Sequence, residues 1–229
     1  MKISPGYNWN VAKELDVPPD PLILRLDFHQ SAVVMHIFQE GMNSTKIVSA
    51  MDIAHALASD LPFSSGLLPA NCLWWRNSRE GPVYALWEPA QLRKIALQEK
   101  AGQPPRRFVI PLPGLIFLCL PGRPPWAYAA KKKPAKLTDL VYKAPLANVF
   151  ANGRTCPGNH RYPADVSQVM DSFFRSFFSP AAELEGRSVR FPKNITHLWE
   201  FLDGKKDFPL EDLVKHGTVK DLLEMVMRG

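Results

Sequence analysis

Strand patterns come first along this chain and helical patterns last, which predicts an α+β protein. The expected architecture is an antiparallel sheet meander with C-terminal helices and an N-terminal strand-rich extension. The 22 prolines among 229 residues agree with this, because they mark short elements joined by stiff turns rather than a helical bundle. Hydrophobic residues at 46% and charged residues at 22% give an ordinary globular balance, enough for a real core without disulfide staples. Residues 1–100 read as the N-terminal strand-rich part and 101–229 as the core with its C-terminal helices, the two forming one continuous globular unit.

Residues 1–21, with Pro18, Pro19 and Pro21, predict an irregular lead-in. LILRLDF (Leu22 to Phe28) alternates and AVVMHIF (Ala32 to Phe38) is nearly continuous apolar, so both predict strands. Gln39 to Ser44 is a turn containing Gly41. Lys46 to Ala58 starts as a strand and finishes as a short helix. CLWWR and GPVYALWEP are further strands, and Leu92 to Lys100 reads as a short helix closed off by Gly102, Pro104 and Pro105. Arg107 to Gly122 holds one or two strands interrupted at Pro111 and Pro113, and Pro124 to Lys132 holds the next. Asp165 followed by Gln168 makes a capping-box pattern. Val166, Val169, Met170, Phe173, Phe174, Phe177 and Phe178 then recur at helical spacing, until Ser179-Pro180 stops the helix. Asn194 caps a second helix through Ile195, Leu198, Trp199 and Leu202 to Gly204. A third runs from Pro209 towards Met227 with a break at Gly217.

Three cysteines, Cys72, Cys119 and Cys156, cannot all pair, and their spacing shows no disulfide framework. The N-terminal MKISPGYNWN lacks the apolar stretch of a signal peptide, and the longest apolar run, Leu115 to Leu120, is far too short to span a bilayer. A soluble cytoplasmic protein with no membrane partner and with reduced cysteines is therefore expected. The net charge of +6 and the pI of about 9.3 suit docking onto an acidic protein and also permit nucleic-acid binding.

Chemistry concentrates in APLANVFANGRTCPGNHRYP, Ala144 to Pro163. Glycine, proline and asparagine at this density predict an ordered loop, with Asn152-Gly153 as a tight turn. Cys156 is the one cysteine outside an apolar run; Cys72 and Cys119 read as buried core thiols. A thiol on an accessible loop can accept and later yield an acyl group, and Arg154 nearby can favour its thiolate. The Asn148 amide either donates to an oxyanion formed at Cys156 or bonds its own backbone. His160 is either a base or lysine-orienting group or a solvated loop histidine. No nearby residues complete a zinc set with Cys156 and His160, so no metal and no cofactor is expected.

Asn148-Val149-Phe150, Asn152-Gly153-Arg154 and Cys156 resemble the active-site segment of ubiquitin-conjugating enzymes, with its His-Pro-Asn tripeptide, turn and catalytic cysteine. The chain is most similar to the bacterial branch, family D, of the kind found in PRTRC system protein B. Leu146-Ala147 stand where His-Pro would be, and Pro157-Gly158 where Leu-Asp is common. The resemblance implies a ubiquitin-conjugating-enzyme-like fold and a transferase carrying a ubiquitin-like protein as a thioester on the catalytic cysteine, Cys156, with Asn148 and His160 as further catalytic candidates. It implies a ThiF-type activating enzyme, a target-protein lysine and a JAB-type peptidase from the same operon as partners, in a bacterial conjugation system of the antiphage-defence kind. Lys131, Lys132 and Lys133 are candidate partner-binding residues, set against the plainer reading of a solvated turn. Two rivals remain at this point: a cysteine hydrolase using Cys156 and His160, and a non-catalytic nucleic-acid-binding or scaffold protein.

Overall fold

The computed structural model describes residues 21–39, 42–60, 66–78, 80–100, 102–156, 158–176, 178–180 and 184–228. The expected lead-in before Pro21, the turn glycine Gly41, Pro157 and Phe177 lie outside the described residues. The chain separates into two compact units, Met1–Ser65 and Gly66–Gly229. The strands at CLWWR and GPVYALWEP thus belong to the second unit.

The first unit holds an antiparallel sheet of β1 (Leu24–Phe28), β2 (Val33–Gln39) and β3 (Met42–Val48), in that order, followed by α1 (Ala50–Asp60). The strand-to-helix change expected between Lys46 and Ala58 occurs at Ser49, whose hydroxyl accepts the Asp52 N–H at 3.0 Å and caps α1.

The second unit is built on a six-stranded antiparallel sheet. Its strands are β4 (Cys72–Ser78), β5 (Gly81–Glu88), β8 (Gly114–Cys119), β9 (Trp126–Ala130), β10 (Leu140–Lys143) and β11 (Lys215–Thr218). They lie in the order β11-β10-β9-β8-β5-β4. Between β5 and β8 the chain makes a separate hairpin, β6 (Gln91–Leu97) with β7 (Arg106–Leu112). The interruption expected near Pro111 and Pro113 is the step from β7 to β8.

The continuous apolar run of β8 is explained by burial on both faces. Leu115, Phe117 and Cys119 enter one core with β6, β7, α2 (Val169–Arg175) and α3 (Ile195–Leu202), while Ile116, Leu118 and Leu120 enter a second core under α4 (Val219–Arg228). Gly114, which opens β8, is required sterically: a Cβ there would sit 2.0 Å from the Trp87 ring. Phe173, Phe174 and Phe178 of the expected stripe are core, but the helix ends at Arg175, short of Ser179-Pro180, and Phe178 bridges Leu97 of β6 instead. Phe173 stacks edge-on with Phe117 and Phe178 at 5.3 and 5.4 Å, and Phe178 with Trp199 at 5.5 Å.

Both expected caps are present. Asp165 accepts from Ser167 N–H at 2.9 Å and from the Gln168 amide at 3.0 Å; it caps the 3-10 turn Val166–Gln168 that leads into α2. Asn194 caps α3 by accepting from Thr196 N–H at 2.9 Å.

Two expected helices are corrected. Leu92 to Lys100 is not a helix: residues 91–97 form β6, because seven-residue pairing with β7 buries Ile95 and Leu97 on its alternating face. The third helix does not begin at Pro209. The chain there makes a 3-10 turn, Leu210–Asp212, then β11 on the edge of the sheet, and only then α4. The start of α4 is a reciprocal cap, with Thr218 N–H donating to Asp221 at 2.7 Å and Asp221 N–H to the Thr218 hydroxyl at 3.4 Å. The mixed α+β class with antiparallel sheets and helices after the main strands agrees with the sequence. Among the described residues, no helix is long and apolar enough to cross a membrane.

Candidate functional site

The segment after β10 doubles back on itself. Val149 bridges Thr155 in antiparallel fashion. Phe150 N–H donates to Arg154 O at 2.7 Å, Gly153 N–H to Phe150 O at 2.8 Å, and Cys156 N–H to Asn148 O at 2.8 Å. This register sets Asn148 directly opposite Cys156, where cross-strand neighbours in regular pairing bring their Cβ atoms to about 5 Å. The spacing in the sequence and the juxtaposition in space have one cause, a tight turn at Asn152-Gly153.

That turn is clamped from beneath. Gly153 adopts φ +87°, and a Cβ on it would lie 2.3 Å from the Tyr128 ring. The Tyr128 hydroxyl donates to Asn152 O at 2.7 Å, and burial pushes its pKa up. Ala127 N–H donates to Gly153 O at 2.8 Å, and the Thr155 hydroxyl to Pro125 O at 2.7 Å. Leu146 and Ala147, where the resemblance led one to expect His-Pro, are fully buried and anchor the start of the turn in the core. Trp199 donates its indole N–H to Pro145 O at 2.9 Å from the side of α3.

Cys156 is half-buried and borders an open cleft of about 390 Å3 together with Asn148, His160 and, from the far end of α2, Arg175, Ser176 and the nearby Ser179. Asn148 is only 4% exposed, and its Oδ1 is enclosed without a hydrogen-bond partner. A buried polar atom left without a partner costs about 1–3 kcal/mol. His160 is fixed by its neighbours: Nε2 lies 2.8 Å from the Ser172 hydroxyl, and its ring meets Tyr162 edge-on at 4.8 Å. Tyr162 is itself buried, which raises its phenol pKa to about 12.

The cleft brings together Cys156, Asn148 and His160. It does not include Arg154, which borders a different hollow with Arg123 and Trp126; the cation on the cleft is Arg175. Arg175, Ser172 and Ser176 escaped the sequence reading because they arrive from a helix about twenty residues downstream, although their spacing puts them on one helical side. Lys131, Lys132 and Lys133 are exposed in the turn after β9 and do not line the cleft. Lys131 lies over the Tyr142 ring at 5.4 Å.

Cys119 is fully buried and its thiol pKa is driven up by desolvation. Cys72, expected in the core, is only half-buried: it packs against the core from edge strand β4, donates to Trp74 O at 3.2 Å, and burial raises its pKa. Among the described residues, no group of three or more histidine, cysteine or acidic side chains is arranged to hold a metal ion.

No curated protein and no solved structure matches the chain. The family described as Prokaryotic E2 family D matches residues 48–216, which include the whole of the cleft. The chain belongs to prokaryotic E2 family D, a bacterial family whose membership points to a transferase-like role in ubiquitin-like conjugation.

Proposed function

We propose that this chain carries a ubiquitin-like protein as a thioester on Cys156 and transfers it to an amine of a target protein. The observation that carries the reading is the register that sets Cys156 opposite Asn148 at an open cleft. A thioester needs a sulfur that macromolecules can reach and a donor fixed near the carbonyl oxygen; the half-buried thiol and the enclosed asparagine supply both. Asn148 lines the cleft beside Cys156, and its side-chain amide is the donor that this reading uses. A ThiF-type activating enzyme would load the thiol, and a JAB-type peptidase would reverse the conjugate. Antiphage defence is the setting such systems suggest. Incubation with the cognate activating enzyme, ATP and the ubiquitin-like protein should give a covalent adduct that reducing agent removes; turnover of a peptide or ester substrate without any activating enzyme would instead favour a cysteine hydrolase.

Lys131, Lys132 and Lys133 serve, in this reading, as the patch on which an acidic partner lands. They are exposed and do not line the cleft, which suits a role in encounter rather than chemistry. Replacing all three by Glu is expected to slow loading about tenfold or more at low salt, with the difference shrinking as salt screens it. Loading rates measured across a salt series decide this; equal rates throughout would leave the cluster as a solvated turn.

A further inference from the structure

We propose that an acceptor lysine reaches Cys156 through a second cleft beside α2 and that His160, the wall between the two clefts, is the base that takes its proton. The inference rests on the carrier reading above and assigns the acceptor side of that site. The second cleft, of about 520 Å3, is lined by Arg161, Tyr162, Gln168, Asp171 and Ser172, and it shares His160 and Arg175 with the first. Among the described residues, the lining of the cleft at Cys156 includes Arg175 and no carboxylate; the second cleft keeps Arg175, adds Arg161, and is the one that offers a carboxylate. Asp171 is the one carboxylate among the described residues lining either cleft. It is largely exposed, with Arg93 3.9 Å away. His160 and Arg175 are the residues the two clefts share, so a lysine moving from Asp171 to the sulfur runs alongside His160.

His160 is built for the step. His160 Nε2 lies 2.8 Å from the Ser172 hydroxyl; in the tautomer whose Nε2–H donates to it, Nδ1 carries the lone pair, and the ring meets Tyr162 edge-on. The charged or titratable groups around it are Cys156, Arg161, Tyr162, Asp171 and Arg175. The lysine nitrogen forms a C–N bond to the thioester carbonyl carbon. The C–S bond breaks, and its electron pair leaves on Cys156 Sγ. The ammonium first gives one proton to His160 Nδ1, which passes it to solvent, and the neutral nitrogen then attacks; its second proton goes to the departing sulfur, so no outside reactant is needed. Ser172 is a positioning residue, acting only through His160.

The test starts from the purified, preloaded thioester and follows its discharge in a single turnover to free lysine and, separately, to hydroxylamine, which is unprotonated at neutral pH. His160→Gln is expected to slow discharge to lysine about 100-fold and discharge to hydroxylamine less than about threefold. Ser172→Ala, which keeps the imidazole but frees it, is expected to give a smaller loss, about tenfold, again with lysine only. Asp171→Asn is expected to raise the lysine concentration needed for half-maximal rate and to leave the saturated rate nearly unchanged. Equal slowing with both nucleophiles would overturn the proposal, since it would mean that His160 merely supports the loop; so would undiminished discharge to lysine in His160→Gln. If the unaltered chain never acquires a thioester, the carrier reading itself fails, an outcome distinct from a loaded chain that ignores His160.

Discussion

Asn148→Ala is expected to slow transfer from the loaded chain to lysine by about 10²–10³-fold, while loading of Cys156 falls much less. The magnitude is that of removing one preorganised oxyanion donor. Attack of an amine on the thioester carbonyl puts negative charge on oxygen, and a donor already desolvated and fixed stabilises it without reorganising. Loading exchanges one thioester for another with a good nucleophile, so it depends less on such help. Asn148 is held in place by its backbone, whose carbonyl accepts the Cys156 N–H at 2.8 Å, and this bond survives the substitution. The turn should therefore persist, and the loss should be confined to chemistry. Separate rates for the two half-reactions check this. Equal losses in both would mean that the side chain supports the turn instead, and Asn148→Asp would help decide: it keeps the shape but replaces the donor with a second acceptor and a negative charge.

Trp199→Ala is expected to cost about 3–5 kcal/mol of folding stability, the range for emptying a large aromatic site. Against a total of about 5–15 kcal/mol for an ordinary domain, that leaves little margin. Trp199 is fully buried between Phe108 and Phe178, with ring centroids 5.9 and 5.5 Å away. It also satisfies the Pro145 carbonyl, just before the site's turn. Trp199→Phe keeps an aromatic ring in the core but removes the indole N–H and some volume, so it should cost less than Trp199→Ala, with about 1–3 kcal/mol of the loss coming from the carbonyl left unpaired. Denaturant unfolding of the two variants checks both expectations. A loss below about 1 kcal/mol for Trp199→Ala would show that α3 is not held as described.

What the sequence made legible follows from the range of each interaction. β8 was readable because a strand covered on both faces has to be apolar at every position, and the caps at Asp165 and Asn194 were readable because capping is local. β6 was misread because Leu92 to Lys100 is rich in good helix formers, and only its partner strand nine residues further on makes it extended. β10 and β11 are four residues each and pair across more than seventy residues, beyond any periodicity. One clue to α4 was in plain view, since Thr218 and Asp221 stand at capping-box spacing. At the site, Asn148 and Cys156 were legible because a single turn joins them. The Arg175 cation and the Ser172 partner of His160 were not, because a helix packed from elsewhere delivers them, and the nearest basic residue in the chain, Arg154, turned out to face another hollow.

The carrier account rests on Cys156, and the measurement that tests it most directly is the linkage formed when the chain meets its activating enzyme, ATP and the ubiquitin-like protein. Cys119 is sealed in the core, and Cys72 sits on an edge strand with its thiol engaged and its pKa raised, so neither offers a ready thiolate. Intact-mass analysis before and after reduction should show a thioester adduct on the unaltered chain, a reduction-resistant oxyester on Cys156→Ser, and no adduct on Cys156→Ala. Cys72→Ala and Cys119→Ala should still load. An adduct that persists in Cys156→Ala, or one lost with Cys72 or Cys119 instead, would contradict the account.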